Sequence, residues 1–542
     1  MKKTISESDR KNAKLRAKKL SRLLFGRTTI VILAVILQIY FLLFASVRYL
    51  HEYSELTYEF VRLLSAIAVI HIINEDTNTS FKLVWVVPIL IAPVFGTILY
   101  FYVNVQIETK HTRKRLASIN KQFSAMVKQN NAALMDLSNE SNGEVGLAKY
   151  LYLTGGFPVF EGDACQYFPM GKDKFAEMRR QLERAEKFIF LEYFIISDGE
   201  MWSSILDILK RKVSEGVEVR LLYDGMNSLV SLPYDFSKKM AKYGIKARPF
   251  NQIRPVFSTI QNNRDHRKIL IIDGNTAFTG GINLADEYIN KLDRFGVWKD
   301  TAVMVKGHSV KSFTLMFLKM WHEAMKKDIV PYTDLDKFYY NVDCDNPYSI
   351  YDWDNSLLYT GGFLIPYADN PFSKERIGKR VYIDILNRAC KYVHIMTPYL
   401  ILDDEMMAAL RYCCSRGVET TIIMPHIPDK KYAYYLARTY YADLISRGVH
   451  IYEYQPGFVH AKIFVSDDRR ATVGSINLDY RSLYLHFEDG LYLYQNESVQ
   501  KIEEDFKETL GQCLEITLDD CKNYSKIKSF IGGTLKLFAP LM

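Results

Sequence analysis

The 542-residue sequence predicts an α/β protein in which N-terminal transmembrane helices precede an α/β body built twice. Three observations lead there. Two long uncharged runs lie before residue 104, strand-like and helix-like patterns alternate from about residue 150, and one motif recurs with identical spacing. A 48% hydrophobic, 13% aromatic composition argues against disorder, and the length is too great for one core.

The charge belongs to one end of the chain. Of 70 Lys and Arg, ten lie in residues 1–27, with only two of the 62 acidic residues, so this basic tail accounts for the whole formal net charge of +8. The rest is neutral, which argues against a nucleic-acid surface spread over the fold. The stretch KNAKLRAKKLSRLL is amphipathic and suits an anionic lipid surface. Seven cysteines without a C-x-x-C pair read as reduced thiols in a cytoplasmic setting.

The membrane anchor is expected over 28–103. Thr28 to Val47 is twenty residues without a charge, about 30 Å as a helix, which matches a bilayer core. Leu83 to Val103 is long enough to return, and 57–73 is a third or interfacial segment. Basic residues flank the outer ends of the pair, so the positive-inside rule favours a multi-pass cell-membrane protein with its body in the cytoplasm. Residues 104–150 read as a linker and 523–542 as an amphipathic tail.

The body divides into 151–345 and 346–522. KFIFLEYFI, MWSSILDILKRKVSEG and VEVRLLYDG in the first part match RACKYVHIMTPYLI, EMMAALRYCCSRG and VETTIIMP in the second. This order argues βαβ units and a mostly parallel sheet in each. Further along, HRKILIIDGNTAFTGGIN contains His266, Lys268, Asp273, Gly280, Gly281 and Asn283, and HAKIFVSDDRRATVGSIN contains His460, Lys462, Asp467, Gly474, Ser475 and Asn477. Both read H-x-K-x4-D-x6-G-G/S-x-N, a coincidence too long for chance.

In a strand, His and Lys two apart share a face, so each copy offers an imidazole beside an ammonium. A pseudo-twofold packing would gather both pairs around one phosphate. One neutral imidazole attacks phosphorus while the other, protonated, gives its proton to the departing alkoxide. The lysines, with Asn283 and Asn477, stabilise the equatorial oxygens, and small residues at Gly280, Gly281, Gly474 and Ser475 let backbone N–H groups approach. Asp273 and Asp467 either orient the site or cap a strand. Asp300 and Glu488 are carboxylates that could hold a histidine tautomer. No zinc-ligand spacing is present, and neither metal nor cofactor is expected.

With these motifs the chain resembles the phospholipase D superfamily and, within it, the bacterial cardiolipin synthases. TPYLILDDEM, PGFVHAK, GSINLDYRSLYLHFE and the terminal LFAPLM share in the resemblance, whereas YDGMNS departs from it at Asn227, where a Gly is usual. The resemblance implies a duplicated phospholipase D-like α-β-α sandwich with pseudo-twofold symmetry. It implies a phosphatidyl-histidine, with His266 as nucleophile and His460 as acid/base, and transfer between two phosphatidylglycerol molecules to give cardiolipin and glycerol. A hydrolase, a transferase with another lipid or alcohol, and a non-catalytic membrane scaffold are the alternatives. The expected partners are an anionic phospholipid membrane and phosphatidylglycerol, with no nucleic acid.

Overall fold

The computed structural model describes residues 55–104, 107–253, 259–340 and 361–541, together with Ile36 and Tyr40. The basic tail and the expected span 28–47 lie outside the described residues, apart from those two positions, as does the boundary at 345/346.

The first half contributes β1 (Phe160–Glu161), β2 (Ala164–Phe168), β3 (Phe188–Tyr193), β4 (Glu218–Asp224), β5 (Lys246–Phe250), β6 (Lys268–Ile272), β7 (Thr276–Gly280), β8 (Val297–Lys299) and β9 (Ala302–Lys306). The second contributes β10 (Phe363–Asp369), β11 (Tyr392–Met396), β12 (Glu419–Pro425), β13 (Val449–Tyr454), β14 (Gly457–Val459), β15 (Ile463–Ser466), β16 (Arg470–Gly474), β17 (Glu488–Tyr494) and β18 (Cys513–Ile516). One sheet runs β2-β9-β7-β6-β3-β4-β5, and the other contains the equivalent run β10-β17-β16-β15-β11-β12-β13, with β1 and β18 added at its edges. The duplication in sequence is thus a duplication of strand order.

Each repeated sheet is mixed, not mostly parallel. β3, β4 and β5 are parallel, but β6, β7, β9 and β2 join by antiparallel ladders. The reason is connectivity: helices return the chain from β3 to β4 and from β4 to β5, whereas β6 turns directly into β7.

Helices cover both faces of the first sheet. Glu200–Ser214 buries Met201, Trp202, Ile205, Ile208 and Leu209, the stripe expected of a helix on a sheet. The helix Val310–Ala324 is buried nearly all round because it lies in the core shared by the two halves. It touches β10 of the other half, and its counterpart Ser498–Leu510 touches β2.

The 104–150 stretch is not an open linker. It forms helices Ile107–Met126, Asn131–Glu140 and Asn142–Gly155, which pack on the body through Arg115–Glu323 (2.7 Å) and buried Glu144, bonded by Arg470 (2.5 Å) and Tyr492 (2.6 Å).

Nor is 83–103 one continuous span. Helix Thr79–Ile91 ends at Ala92, which leaves the helical region (φ −135°, ψ 78°) because a following proline disfavours it, and a new helix runs Pro93–Asn104. At 1.5 Å per residue each is about 20 Å long, short of a bilayer core. They pack with helix Glu55–Asn74 around Ala68, Ile72, Ile89 and Tyr100. No helix among the described residues is long and apolar enough to cross a membrane. These helices nevertheless expose Leu63, Ile67, Ile70, Leu90 and Ile91.

The N-terminal helices also reach toward the centre of the body. Asn78 caps helix Thr79–Ile91 and donates to Asp403 (3.2 Å) and Tyr484 (3.0 Å), while Phe81 packs edge-on against Tyr480 and Tyr484. Tyr484 lies in the turn Arg481–Leu485, just before β17.

Candidate active site

The two motif histidines stand immediately before or near their strands and are stitched to the opposite half. His266 N–H donates to Phe487 O at 2.9 Å, and His460 N–H donates to Lys299 O at 2.7 Å. The second contact extends the parallel pairing of β14 with β8. Each stitched segment carries the carboxylate that its histidine needs. His266 Nδ1 lies 2.9 Å and 3.0 Å from the oxygens of Glu488, and His460 Nδ1 lies 2.6 Å from Asp300 Oδ2. Nδ1–H bound to a carboxylate leaves Nε2 with its lone pair, an atom able to act as nucleophile or base.

The lysines follow the strand alternation. Lys268 Nζ donates to His266 O and Lys462 Nζ to His460 O, and Lys462 Nζ also lies 2.9 Å from His460 Nδ1. Both lysines are almost fully buried. Burial, then the charges of Lys268, Lys462 and His460, hold His266 well below the ordinary imidazole value. Burial and Lys462 bring His460 down to about 4, against the pull of Asp300. Burial lowers Lys268 to about 8 and Lys462 to about 7. A site of this kind is short of negative charge, and a phosphodiester would supply it.

The small residues serve the carboxylates more than an anion. A Cβ on Gly281 would sit 2.0 Å from Asp300 Oδ1, so the shorter carboxylate occupies that space. In the other half Ser475 stands there, and its hydroxyl donates to the longer Glu488. The expectation that Gly281 and Ser475 turn N–H groups to phosphate is corrected: they donate to Thr301 O (3.0 Å) and Asp489 O (2.9 Å). Gly280 and Gly474 admit the neighbouring strand, since a Cβ would meet Thr301 O at 2.4 Å and Asp489 O at 2.3 Å.

Asn283 is committed to the fold. Its Nδ2 donates to Tyr288 (2.7 Å) and its Oδ1 accepts from Ile195 N–H (2.9 Å). Asn477 Oδ1, by contrast, is buried with no hydrogen-bond partner among the described residues. Asp273 and Asp467 fit the strand-capping alternative. Asp273 accepts from the N–H groups of Glu186, Lys187 and Phe188, and Asp467 from those of Cys390, Lys391 and Tyr392, at the starts of β3 and β11. Both adopt positive φ, 52° and 57°.

Sequence reasoning misses His486. It lies two residues before Glu488, its Nδ1 is 3.5 Å from Glu488 Oε1, and its ring is 5.3 Å from that of His266. Neither of its nitrogens has a hydrogen-bond partner among the described residues, and burial lowers it to about 3. Strand alternation is the signal that could have placed it beside Glu488. The equivalent position near His460 is Trp298, whose ring is 5.4 Å from the imidazole, so the two halves are not identical. His266, His486 and Glu488 bring ligand atoms within 4.8 Å of one another and could in principle hold a cation, although the two lysines oppose a dication there.

Two sheets of one strand order, each presenting a His and Lys pair that is completed by the other's carboxylate, define a two-motif phospholipase D-like protein. The model described as "Cardiolipin synthase, PLD-like domain" matches residues 178–321 and 382–510, and "Phospholipase_D-nuclease N-terminal" matches 63–103. The chain belongs to the cardiolipin synthase family of phospholipase D-like proteins and is a phosphatidyltransferase. It is 46% identical to an uncharacterized protein of Streptococcus mutans, over 88% of this chain and 99% of that one. It is 31% identical to cardiolipin synthase 2 of Bacillus cereus, over 86% and 88% of the two chains. Phosphatidylserine synthase of Haemophilus influenzae shares the fold, with a TM-score of 0.55 at 14% identity, covering 74% of this chain and 100% of that one.

Proposed function

We propose that the enzyme transfers a phosphatidyl group from one phosphatidylglycerol to another, giving cardiolipin and glycerol through a phosphohistidine. The observation that carries this reading is the reciprocal pairing of His266 with Glu488 and His460 with Asp300, beside two buried lysines. His266 Nε2 attacks phosphorus, and the bond to the glycerol oxygen breaks as His460 gives that oxygen its proton. A hydroxyl of the second phosphatidylglycerol then passes its proton to His460 and attacks phosphorus, breaking the P–N bond.

The resting histidines are held neutral by burial and by the lysines. A neutral His266 is ready to attack, and the charge of the bound phosphodiester raises His460 toward the protonated state that the acid role needs. Lys268 and Lys462 stabilise charge on the equatorial oxygens. Asp273 and Asp467 hold strand ends, and Asn477 is the asparagine available to substrate.

Transfer must outrun hydrolysis. A membrane-bound enzyme meets the second lipid at high effective concentration and in fixed orientation, worth several kcal/mol. The N-terminal helices and the C-terminal helix Lys526–Lys536, which exposes Ile527 and Phe530, support a membrane-facing surface. Ala539–Leu541 lies against helix Thr79–Ile91, which joins the two into one side of the molecule.

Purified enzyme incubated with phosphatidylglycerol in mixed micelles, with products identified by mass spectrometry, tests this reading. Cardiolipin and glycerol in equal amounts are expected. Phosphatidic acid without cardiolipin would instead identify a hydrolase, and absence of turnover a scaffold.

A further inference from the structure

On the other side of the first motif from His266 lies a cavity of about 420 Å³. Strand alternation explains its position: His266 and Lys268 face one way, and Arg267 faces the other, into the cavity. Helix Ile107–Met126 supplies one wall through Arg113, Leu116, Ala117 and Asn120, the i, i+3, i+4, i+7 face of that helix. Helix Val310–Ala324 supplies another through Met316, Lys319 and Met320, and Phe372 and Phe487 close the end.

The lining is apolar with cationic points. Arg113, Lys121, Arg267 and Lys319 border it, and Asp369 is the one acid that does. The Asp369 carboxylate is already occupied, accepting from Asn370 N–H (2.8 Å) and Gly378 N–H (3.0 Å). Lys319 rests its ammonium over the rings of Phe123 (5.0 Å) and Phe157 (6.0 Å), with no carboxylate in contact among the described residues. Burial and the charge of Arg267 lower it to about 8. Arg267 Nη1 lies 3.7 Å from buried Glu192. The half-buried ammonium of Lys319, opposite that guanidinium and among apolar side chains, is therefore the cation that an anion with an apolar body would satisfy.

We infer that this cavity is a second binding site, which takes an anionic amphiphile: a phosphate ester held between Lys319 and Arg267, with an acyl chain along Leu116, Met316 and Phe372. The site adjoins helix Ile107–Met126, which follows the N-terminal helices with their exposed apolar residues, where lipid would be met. It also touches the machinery of the first motif, because Arg267 Nε donates to Glu488 O (3.2 Å) and Phe487 O receives the His266 N–H.

Residue-specific footprinting of the full-length enzyme in micelles tests the inference. At pH 8 Lys319 should be readily acetylated by an amine-reactive reagent, because a large share of it is unprotonated. Dihexanoyl phosphatidate should protect Lys319 at least fivefold, with inorganic phosphate at the same concentration protecting less than twofold. Lys462→Gln, which alters the histidine site, should retain that protection, and Arg267→Met should lose it. Unchanged labelling of Lys319 at saturating phosphatidate would overturn the site. Equal protection by inorganic phosphate would overturn the amphiphile and leave a simple phosphate site, and loss of protection in Lys462→Gln would show that the effect arises at the histidines.

Discussion

His266 is held by Glu488, a residue 222 positions further along the chain, with Nδ1 2.9 Å from Oε1. Asp300 and His460 repeat the relationship in the opposite direction, across 160 positions and 2.6 Å. Each half therefore holds a histidine whose Nδ1 meets a carboxylate of the other half. Glu488→Gln and Asp300→Asn keep the shape but cannot favour the Nδ1–H tautomer as a carboxylate does. Each should lower kcat by about 10²-fold or more with a smaller change in KM, measured by cardiolipin formation in mixed micelles. Loss in one variant alone would mean that the two pairs are not mechanistically equivalent.

Gly281 and Asp300 compete for one space. In Gly281→Ala the new methyl would lie 2.0 Å from Asp300 Oδ1 and must displace it. A shift of this size at an orienting group should reduce kcat by about 10²-fold. Gly146→Ala, where nothing lies within 4 Å of the added Cβ, should leave turnover unchanged and is the control.

Asp273 and Asp467 should separate stability from chemistry. Each carboxylate receives three backbone N–H groups at the start of a central strand. Alanine at either position should destabilise the protein by about 1 kcal/mol, the usual net worth of hydrogen bonds at a largely exposed strand end, where water can replace the lost acceptor. Turnover measured well below the lowered Tm should remain within severalfold of wild type. A loss of kcat at full folding, read by circular dichroism, would return these residues to the chemistry.

The buried lysines set a pH dependence of stability. Lys462 has a native value of about 7, below that of the unfolded chain, so between roughly pH 7 and 10 the unfolded state binds more protons. The contribution of this group to stability therefore rises with pH across that window. Ligand-free wild type should gain Tm relative to Lys462→Met between pH 7 and 10, and a parallel pH dependence of the two would refute the assignment. His460, with a native value of about 4, acts at lower pH: stability is lost as pH falls from about 6.5 toward 4.

Much of the site is legible in the order of the amino acids. His266, Lys268, His460 and Lys462 share a repeated spacing, and a spacing of two in a strand places imidazole and ammonium on one face. Asp300 and Glu488 are visible as candidates, because each follows an aromatic or histidine-containing run at the edge of a strand. His486 is legible only in part: strand alternation puts it on the face of Glu488, but only the fold shows that Glu488 faces His266. The mixed sheet is hidden, because β-branched runs mark strands without giving their direction.

By itself, then, the sequence determined the duplication, the repeated His and Lys pairs and the apolar N-terminal runs, all of which are local patterns of side-chain type and spacing. Tertiary structure decided the partner of each histidine, the break at Ala92 and Pro93, and the use of Gly281 to make room for Asp300. These depend on contacts between segments far apart in the chain, or on backbone geometry at a single residue. Periodicity says nothing about either, because it records which face a residue occupies and not what stands opposite.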